Sequence, residues 1–493
     1  MKKILSFLIF LTFGAFTLCA LYVFNLPPFH INPNQDTQNT QPAATNDQPI
    51  ANGVVRSKNF NEYFQRAELL ETNNFPTLAI SEFQNAYSLD QRNTLPLFKI
   101  GKIHLKTSDF TKAQATFEAI LKIDANNTEA KVLLGKAWLG KRTIQDDSNI
   151  KEAQKIFDSI TAPNQESKFY QGIIAAYYKD YETSKKFLNE ALALNTNANI
   201  TKKATNFMKA FAEFNATTEG QSVHIKTLLA RSFNQSEEYE MAIPLLYEVV
   251  KEKNDYRDAW ILLGYAYLKI DKVQDAIDAL ERAKKLDPNN ANTLFYLGLS
   301  YYSVNDYQQA ANNLEKAKFG GFEPKIQVDQ KLAEVYLQLQ NYKKSAQSYE
   351  EVLAHNNEDI NYYVRPIWIY IEKLNQPQNA LQLAKKAAEI HPKDAMSFNL
   401  IGWSYIASKK FDMAESNLKK AMVMNPDLDA TYLNYGMLLE AKGEAKNALS
   451  FYKKANLKGK GNSISTIAAT RYNQLIAQTT NLNTNIQANI LSQ

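Results

Sequence analysis

The sequence has few of the residues that build reactive centres. It contains one cysteine, Cys19, and five scattered histidines among 493 residues. One thiol cannot form an intrachain disulfide or a zinc site made of several thiolates. None of the histidines has the HExxH spacing of a zinc protease. We therefore predict no metal site and no metal cofactor.

A large excess of charge of either sign is also missing. The chain has 56 Lys and Arg residues against 51 Asp and Glu residues, which gives a formal net charge of +5. Nucleic-acid-binding domains usually have a strongly basic surface that attracts the phosphate backbone. We therefore predict no nucleic-acid partner.

A phosphate-binding loop is missing as well, although one segment comes close to the pattern. Residues 135–142 match GxxxxGK and then have Arg142, where the motif requires a serine or threonine to bind Mg²⁺. The segment also has a helical pattern, whereas a phosphate-binding loop follows a strand. We predict no nucleotide cofactor, no catalytic residue and no small-molecule substrate, so we do not expect an enzyme.

The chain has one long uncharged run, at residues 4–24, which follows Lys2 and Lys3. As a helix this run reaches about 30 Å, the thickness of a bilayer core, and it exceeds the apolar region of an ordinary signal peptide. We predict that residues 1–24 form a signal-anchor transmembrane helix in the cell membrane. The positive-inside rule places the N-terminus in the cytoplasm and the rest of the chain outside it. Cleavage near Ala20 and lipidation at Cys19 are the alternatives.

Residues 25–59 are rich in Pro, Asn, Gln and Thr and have almost no large apolar residues after Ile31. Such a segment cannot bury enough apolar surface to offset its chain entropy. We predict a disordered linker that holds the following part of the chain away from the membrane.

From Phe60 onward the sequence repeats with a period of about 34 residues. The clearest units begin at Arg257, Ala291, Ala395 and Asp429. Weaker copies begin near residues 60, 94, 128, 165, 223, 326 and 361, which makes about eleven repeats. The unit at Arg257 has these characteristic residues: Trp260, Leu263, Gly264, Tyr267, Ala276, Leu280, Ala283 and Pro288.

These residues resemble the consensus of the tetratricopeptide-repeat (TPR) family. The resemblance implies that each repeat is a hairpin of two antiparallel helices, A and B. It implies an all-α TPR solenoid in a right-handed superhelix, preceded by the one transmembrane helix. A small residue at the eighth position, such as Gly264, lets the two helices cross closely. The unit near residue 361 departs from the pattern, because it has Trp368 at this position. It also has Pro366 early in its A helix, which we expect to kink or delay that helix.

Two segments do not fit the alternation of A and B helices. Residues 199–222 read as one extra helix followed by a loop, so we predict an N-terminal array at 60–198 and a C-terminal array at 223–462 that meet at a bend. Residues 463–493 are predicted as a capping helix, to about Gln478, followed by a frayed tail. A longer A–B loop is expected around Arg142 to Ile150.

The resemblance also implies where a partner binds. In TPR arrays, the A-helix residues at repeat positions 2, 5, 9 and 12 line the concave face. In this sequence many of these residues are apolar or aromatic, as is typical of partner sites. The predicted partner-binding groove consists of Ile261, Tyr265, Leu268, Phe295, Leu299, Tyr302, Met396, Asn399, Trp403, Ile406, Leu433 and Met437. The alternative is that stacking or a neighbouring segment covers these residues.

We predict a membrane-anchored scaffold that binds a protein partner, as an extended peptide or an amphipathic helix, on the concave face. Bacterial envelope assembly or secretion is the expected setting. The alternative is an extracytoplasmic, chaperone-like holder of unfolded client proteins. Binding of one partner at a defined stoichiometry favours the scaffold, and binding of many clients favours the holder.

Overall fold

The structure is a computed structural model that describes residues 59–214 and 221–490, with side chains up to residue 478 except that of Gln221. The predicted anchor at 1–24 and the predicted linker up to residue 58 lie outside the described residues. Within the described part of the chain, no helix combines the length and the apolar composition that crossing a bilayer requires.

The described residues form 24 α-helices and no β-strand. The first eight are α1 (Phe60–Thr72), α2 (Pro76–Leu89), α3 (Leu95–Lys106), α4 (Phe110–Ile123), α5 (Thr128–Gly140), α6 (Ser148–Asp158), α7 (Gln165–Tyr177) and α8 (Tyr181–Leu194). The next eight are α9 (Ala198–Glu213), α10 (Gln221–Gln235), α11 (Tyr239–Glu252), α12 (Arg257–Lys269), α13 (Val273–Leu286), α14 (Ala291–Ser303), α15 (Tyr307–Phe319) and α16 (Lys325–Gln338). The last eight are α17 (Tyr342–His355), α18 (Asn361–Trp368), α19 (Pro377–Ile390), α20 (Ala395–Ala407), α21 (Phe411–Met424), α22 (Asp429–Ala441), α23 (Ala445–Gly459) and α24 (Ser463–Ile490).

Twenty-two of these helices form the eleven predicted hairpins, and the all-α TPR-like solenoid is confirmed. The A helices begin within two residues of the repeat starts read from the sequence. The A helices are α1, α3, α5, α7, α10, α12, α14, α16, α18, α20 and α22, and each packs on the B helix that follows it.

Local residues determine where the hairpins turn. After α14, Asn305 has a positive φ of 61°, and the N–H of Asp306 donates to the carbonyl of Tyr301 at 2.9 Å. The Asp306 carboxylate then accepts from the N–H of Gln309 at 3.0 Å and caps the start of α15. Asn and Asp tolerate left-handed backbone and cap helices well, so this pair of residues ends one helix and begins the next.

The close crossing predicted at repeat position 8 is present. A Cβ atom added to Gly402 of α20 would lie 2.6 Å from Cγ of Leu418 and 3.4 Å from the carbonyl oxygen of Ala414, both on α21. Gly298 has the same relation to Leu314. Only a residue without a side chain allows the two helices to approach so closely.

The described residues divide into two compact units, which separate between Pro288 and Asn289. We call residues 59–288 the N-terminal unit and residues 289–490 the C-terminal unit. The two repeat arrays predicted from the sequence, at 60–198 and 223–462, are defined by the segment 199–222 between them. This segment does contain the predicted extra helix, α9, but Phe207 of α9 packs between Phe169 of α7 and Phe233 of α10 at ring distances of 6.2 and 4.9 Å. The apolar core therefore continues through this segment, and the bend stays a prediction.

Pro366 lies inside α18, which begins at Asn361 without delay, and the predicted kink stays a prediction. The α-helix α18 ends at Trp368, and residues Ile369–Lys373 form a π-helical turn. The N–H of Leu374 donates to the carbonyl of Ile369 at 3.0 Å, a span of five residues. Proline has no N–H and clashes with the preceding turn, so the hydrogen-bond register changes after it.

The last helix is longer than the sequence predicted. α24 begins at Ser463, as expected for a capping helix, and packs on α23 and α22. It continues to Ile490, whereas the sequence analysis placed the start of a frayed tail after Gln478. Residues 491–493 lie outside the described residues.

Candidate functional site

Among the predicted groove residues, the largest partly open apolar cluster lies on α20 and α22 of the C-terminal unit. Met396, Trp403 and Ile406 of α20 and Met437 of α22 are half-buried. The two helices are joined by a hydrogen bond of 2.9 Å from Nδ2 of Asn434 to Oδ1 of Asn399. We call the side chains of Met396, Trp403, Ile406 and Met437 the Trp403 patch. It combines one large aromatic ring with flexible side chains that adapt to different partners.

Two other predicted groove residues on these helices are not accessible. Asn399 and Leu433 are buried, and Nδ2 of Asn399 contacts Sδ of Met396 at 3.4 Å. Their positions therefore stabilise the packing of α20 on α22, and a partner does not reach their side chains in this conformation. The Trp403 indole N–H is covered and has no acceptor among the described residues.

On α14 the predicted groove residues differ in exposure. Phe295 is buried because Phe322, from the α15–α16 loop, stacks on it with the ring centroids 4.0 Å apart. Leu299 and Tyr302 remain half-buried. Burial, together with the nearby charge of Glu334, raises the pKa of Tyr302 to about 12, so its hydroxyl stays a hydrogen-bond donor at neutral pH.

Two A helices between these surfaces were not included in the sequence prediction. On α16, Nζ of Lys331 lies 4.4 Å from the ring centroid of Tyr302 and 2.5 Å from a carboxylate oxygen of Glu334. Gln330 donates to the hydroxyl of Tyr362, on α18, at 3.2 Å. The same repeat register, applied to residues 326 and 361, would have found Gln330, Glu334 and Tyr362, whereas Lys331 lies one residue after a concave position. The A-helix face of the C-terminal unit is therefore apolar on α14 and on α20–α22, and polar between them.

In the N-terminal unit the predicted groove residues all lie on α12. Ile261, Tyr265 and Leu268 are half-buried. The Tyr265 ring packs edge-on against Tyr239 at 6.0 Å, and burial raises the pKa of its hydroxyl. These three side chains lie on one helix, whereas the Trp403 patch spans two.

The helix α7 has no open face. Eight consecutive residues, from Phe169 to Ala176, are buried. Eight residues make more than two helical turns, so every side of the helix is covered. Phe169, Ile173 and Ala176 occupy the repeat positions that line the concave face in the family, and here they belong to the core.

The cover over α7 is held by ion pairs between distant parts of the N-terminal unit. The Arg142 guanidinium, in the α5–α6 loop, lies 2.8 Å from carboxylate oxygens of both Glu238 and Glu240 at the start of α11. Lys179, after α7, binds Glu248 of α11 at 2.8 Å. Burial, and next the charge of Glu238, raises the pKa of Tyr170 on α7. This part of the unit is therefore closed by its own chain.

The near match to a phosphate-binding loop and the acidic residues of the α5–α6 loop make structural contacts within the chain. Residues 135–140 lie in α5, and Lys136 pairs with Glu166 at 2.6 Å rather than facing an open loop. In the long α5–α6 loop, Asp146 accepts hydrogen bonds from Ser148, and Asp147 pairs with Lys151 at 2.9 Å. No cluster of metal-binding side chains occurs among residues 59–214 and 221–478.

Comparison with known families agrees with the helical geometry. Two sequence profiles, each described as "Tetratricopeptide repeat", match residues 234–294 and 96–127. The chain contains tetratricopeptide repeats. The matched tetratricopeptide-repeat segments include α3, which carries Gly101, and α12, which carries Gly264.

One curated relative is the BBSome complex member BBS4 of Bos taurus, which is 33% identical over 82 residues. The match covers 17% of this chain and 16% of that protein. Among solved structures, a tetratricopeptide repeat protein from Parabacteroides merdae is 16% identical, covers 52% of this chain and 100% of its own, and has a TM-score of 0.35. YrrB, described as a TPR protein with an unusual peptide-binding site, is 19% identical, covers 38% of this chain and 95% of its own, and has a TM-score of 0.33.

Proposed function

We propose that this chain is a non-catalytic, membrane-anchored TPR scaffold of the bacterial envelope. Its anchor is the uncharged run at residues 4–24, with the repeats outside the cytoplasm, and assembly or secretion is its setting. TPR repeats are suited to protein–protein interaction. We choose the Trp403 patch as the binding surface because its apolar side chains are partly open to solvent. An extended peptide or an amphipathic helix would cover its four side chains, which lie on two adjacent A helices.

The geometry supports a short apolar contact better than a long uniform groove. The A-helix face is closed at α7, and it is polar on α16 and α18. A partner that binds the Trp403 patch would therefore place a few apolar anchors on α20 and α22. A cluster of this size, with an aromatic residue at its centre, is where most binding energy is usually concentrated.

Photocrosslinking from within the patch tests this proposal. A photoreactive amino acid at Met437, in the full chain in its native membranes, should crosslink to one protein at a defined stoichiometry. The matched control is the same group at Phe319, whose side chain is almost fully exposed on α15, outside the patch. Many clients crosslinked from position 437 would favour the chaperone-like holder. Identical products from positions 437 and 319 would contradict the surface assignment.

The partner found in this way provides the quantitative test. Trp403→Ala should weaken its binding by about 2 kcal/mol, roughly 30-fold, as expected for loss of an aromatic anchor. Phe319→Ala removes a comparably large apolar side chain and should leave the affinity unchanged. Circular dichroism should show the same helix content in both variants. Equal affinities of the two variants would reject the Trp403 patch as the binding surface.

A further inference from the structure

Three consecutive B helices of the C-terminal unit carry adjacent lysines at the same repeat positions. Each pair follows the previous one by 34 residues. All six side chains are exposed; they are Lys385 and Lys386 on α19, Lys419 and Lys420 on α21, and Lys453 and Lys454 on α23. The preceding B helix, α17, has Glu350 and Glu351 at these positions. The lysine pairs therefore belong to the last three hairpins of the unit.

These three helices follow one another in the packing as well as in the sequence. The helix α20 packs on both α19 and α21, and α22 packs on both α21 and α23. On α22, the Tyr435 hydroxyl donates to Glu415 of α21 at 3.1 Å, and its ring stacks on Phe451 of α23 at 4.5 Å. Lys458, near the end of α23, pairs with Asp427 in the loop after α21 at 2.8 Å. The three lysine pairs thus lie on successive helices of one packed unit.

Most of this charge is not neutralised. Lys419 pairs with Glu415 at 2.7 Å, whereas the other five lysines have no carboxylate within ion-pair distance in the part of the chain that the structure describes. Together α19, α21 and α23 contain eight lysines and three acidic residues, and α23 has none of the latter. Their excess of five positive charges equals the net charge of +5 of the whole chain.

Exposed aliphatic side chains lie beside these lysines. Val423 is 82% exposed and Leu457 is 68% exposed. Each follows a lysine, Lys419 or Lys453, by four residues, and side chains with this spacing share one face of a helix. We call the six lysines together with Val423 and Leu457 the lysine face. The face therefore combines positive charge with two exposed aliphatic side chains.

We propose that the lysine face docks on an anionic lipid surface. Ammonium groups attract the phosphates of acidic headgroups, with a favourable contribution from each lysine near the surface, and aliphatic side chains enter the boundary between headgroups and acyl chains. A soluble phosphate polymer would neutralise the lysines but would leave Val423 and Leu457 in water. The lysine face is formed by B helices, whereas the Trp403 patch is formed by A helices, so this inference does not depend on the proposed partner site.

An environment-sensitive fluorophore at Leu457 tests the contact directly. The full chain, with Cys19→Ser to leave one thiol and Leu457→Cys to attach the dye, is reconstituted in vesicles of phosphatidylcholine, with or without phosphatidylglycerol. We expect a blue shift of the emission, and quenching by a spin label on the lipids, in the phosphatidylglycerol vesicles only. Because the same chain is reconstituted in both kinds of vesicle, any association through the N-terminal run is common to both.

Charge variants then distinguish binding through the lysine face from a general electrostatic attraction between the chain and acidic vesicles. The test variant combines Lys386→Gln, Lys420→Gln and Lys454→Gln. It should need a higher phosphatidylglycerol content to reach half of the emission shift, or its apparent affinity for the vesicles should fall about tenfold or more. The control removes three exposed lysines of the same unit that lie at other repeat positions: Lys325→Gln, Lys343→Gln and Lys409→Gln. Its emission shift should match that of the parent chain.

Several results would overturn the proposal. If the emission maximum of the dye stayed at its value in water with both kinds of vesicle, residue 457 would not contact lipid. An equal shift in both would show that acidic headgroups are not recognised. Equal losses in the two triple variants would show that the six lysines have no special role, and a shift produced by an acidic protein but not by phosphatidylglycerol vesicles would assign the face to a protein partner.

Discussion

The Arg142 guanidinium and the Glu238 carboxylate form an ion pair of 2.8 Å that is nearly closed to solvent, with side-chain exposures of 8% and 10%. In a regular repeat array each hairpin contacts only its neighbours. This pair instead joins the α5–α6 loop to the start of α11, across α7 and α9. The helix α7 packs on α6, α8 and α9, and the ion pair links the loop before this packed region to the helix α11 after it.

Arg142→Met should destabilise the N-terminal unit by about 3 kcal/mol. The substitution leaves the Glu238 carboxylate buried without its positive partner, and removing one member of a buried pair is strongly destabilising. Chemical denaturation followed by circular dichroism measures the change. Glu238→Gln added to Arg142→Met should recover part of the loss, because the uncompensated charge is then removed.

The control for this prediction is a solvent-exposed ion pair in the same unit. Lys151 pairs with Asp147 at 2.9 Å, with side-chain exposures of 60% and 34%. Lys151→Met should change the stability by only about 0.5 kcal/mol or less, since exposed pairs contribute little. If Arg142→Met and Lys151→Met had the same effect, the buried pair would not hold the unit closed.

Gly402→Leu should destabilise the C-terminal unit by about 3 kcal/mol or more. The new side chain would occupy the space of Leu418 and press on the backbone of α21, and overpacked cores usually lose stability by this order. Ser416→Leu adds the same side chain to an exposed position of α21 and should have little effect. Thermal unfolding of both variants is the measurement, and a normal melting temperature for Gly402→Leu would contradict the crossing geometry.

Glu415 should contribute to stability above mildly acidic pH. Hydrogen bonds from Lys419 and Lys442 lower the pKa of its carboxyl from an ordinary value of 4.5 to about 2. Because the folded protein holds the ionised form more strongly, this stabilisation is complete above pH 4.5 and is lost as the pH falls towards 2. The difference in melting temperature between the parent chain and Glu415→Gln should shrink over that range.

A second variant separates the pairing from other effects of the Glu415 substitution. Lys442→Gln keeps the carboxylate but removes one of its partners, so the loss of stability on acidification should begin at a higher pH than in the parent chain. If the two pH profiles coincided, Lys442 would have no part in lowering the Glu415 pKa.

His104 should make the N-terminal unit sensitive to pH in a different range. Burial lowers the pKa of its imidazole below the ordinary value of 6.5, and Asp109, with an N–O distance of 4.0 Å, only partly opposes this effect. The unfolded chain then takes up the proton first as the pH falls below 6.5, and the folded state loses stability. Melting curves of the parent chain and His104→Gln should diverge there, and parallel profiles would contradict the buried neutral imidazole.

The hairpins and their turns could be predicted from the sequence because their causes are local. Gly264, Gly298 and Gly402 recur at the position where two helices cross, and a capping residue such as Asp306 follows the turn that ends an A helix. The position of the compact-unit boundary could not be read, because Phe207 of the extra helix fills a gap in the core that only the packed structure shows.

The candidate surface was predicted less well than the fold. The repeat register correctly assigned the twelve groove residues to A helices, but it could not tell that Phe322 covers Phe295. It also gave no indication that Asn399 is enclosed by α22, where Asn434 binds it. Contacts from loops and neighbouring helices decide exposure, and these contacts follow no 34-residue period.

The sequence by itself determined the eleven hairpins, their lengths and the small residues at their crossings, since helix periodicity, caps and side-chain volume act within one repeat. Only the tertiary structure decided which A-helix faces remain open. The concave positions of α7 and α20 look alike in the sequence, yet Phe169 is buried and Trp403 is half-exposed. One cause of the difference is the extra helix α9, whose Phe207 ring packs against Phe169. No pattern within one repeat encodes a contact between residues so far apart in the chain.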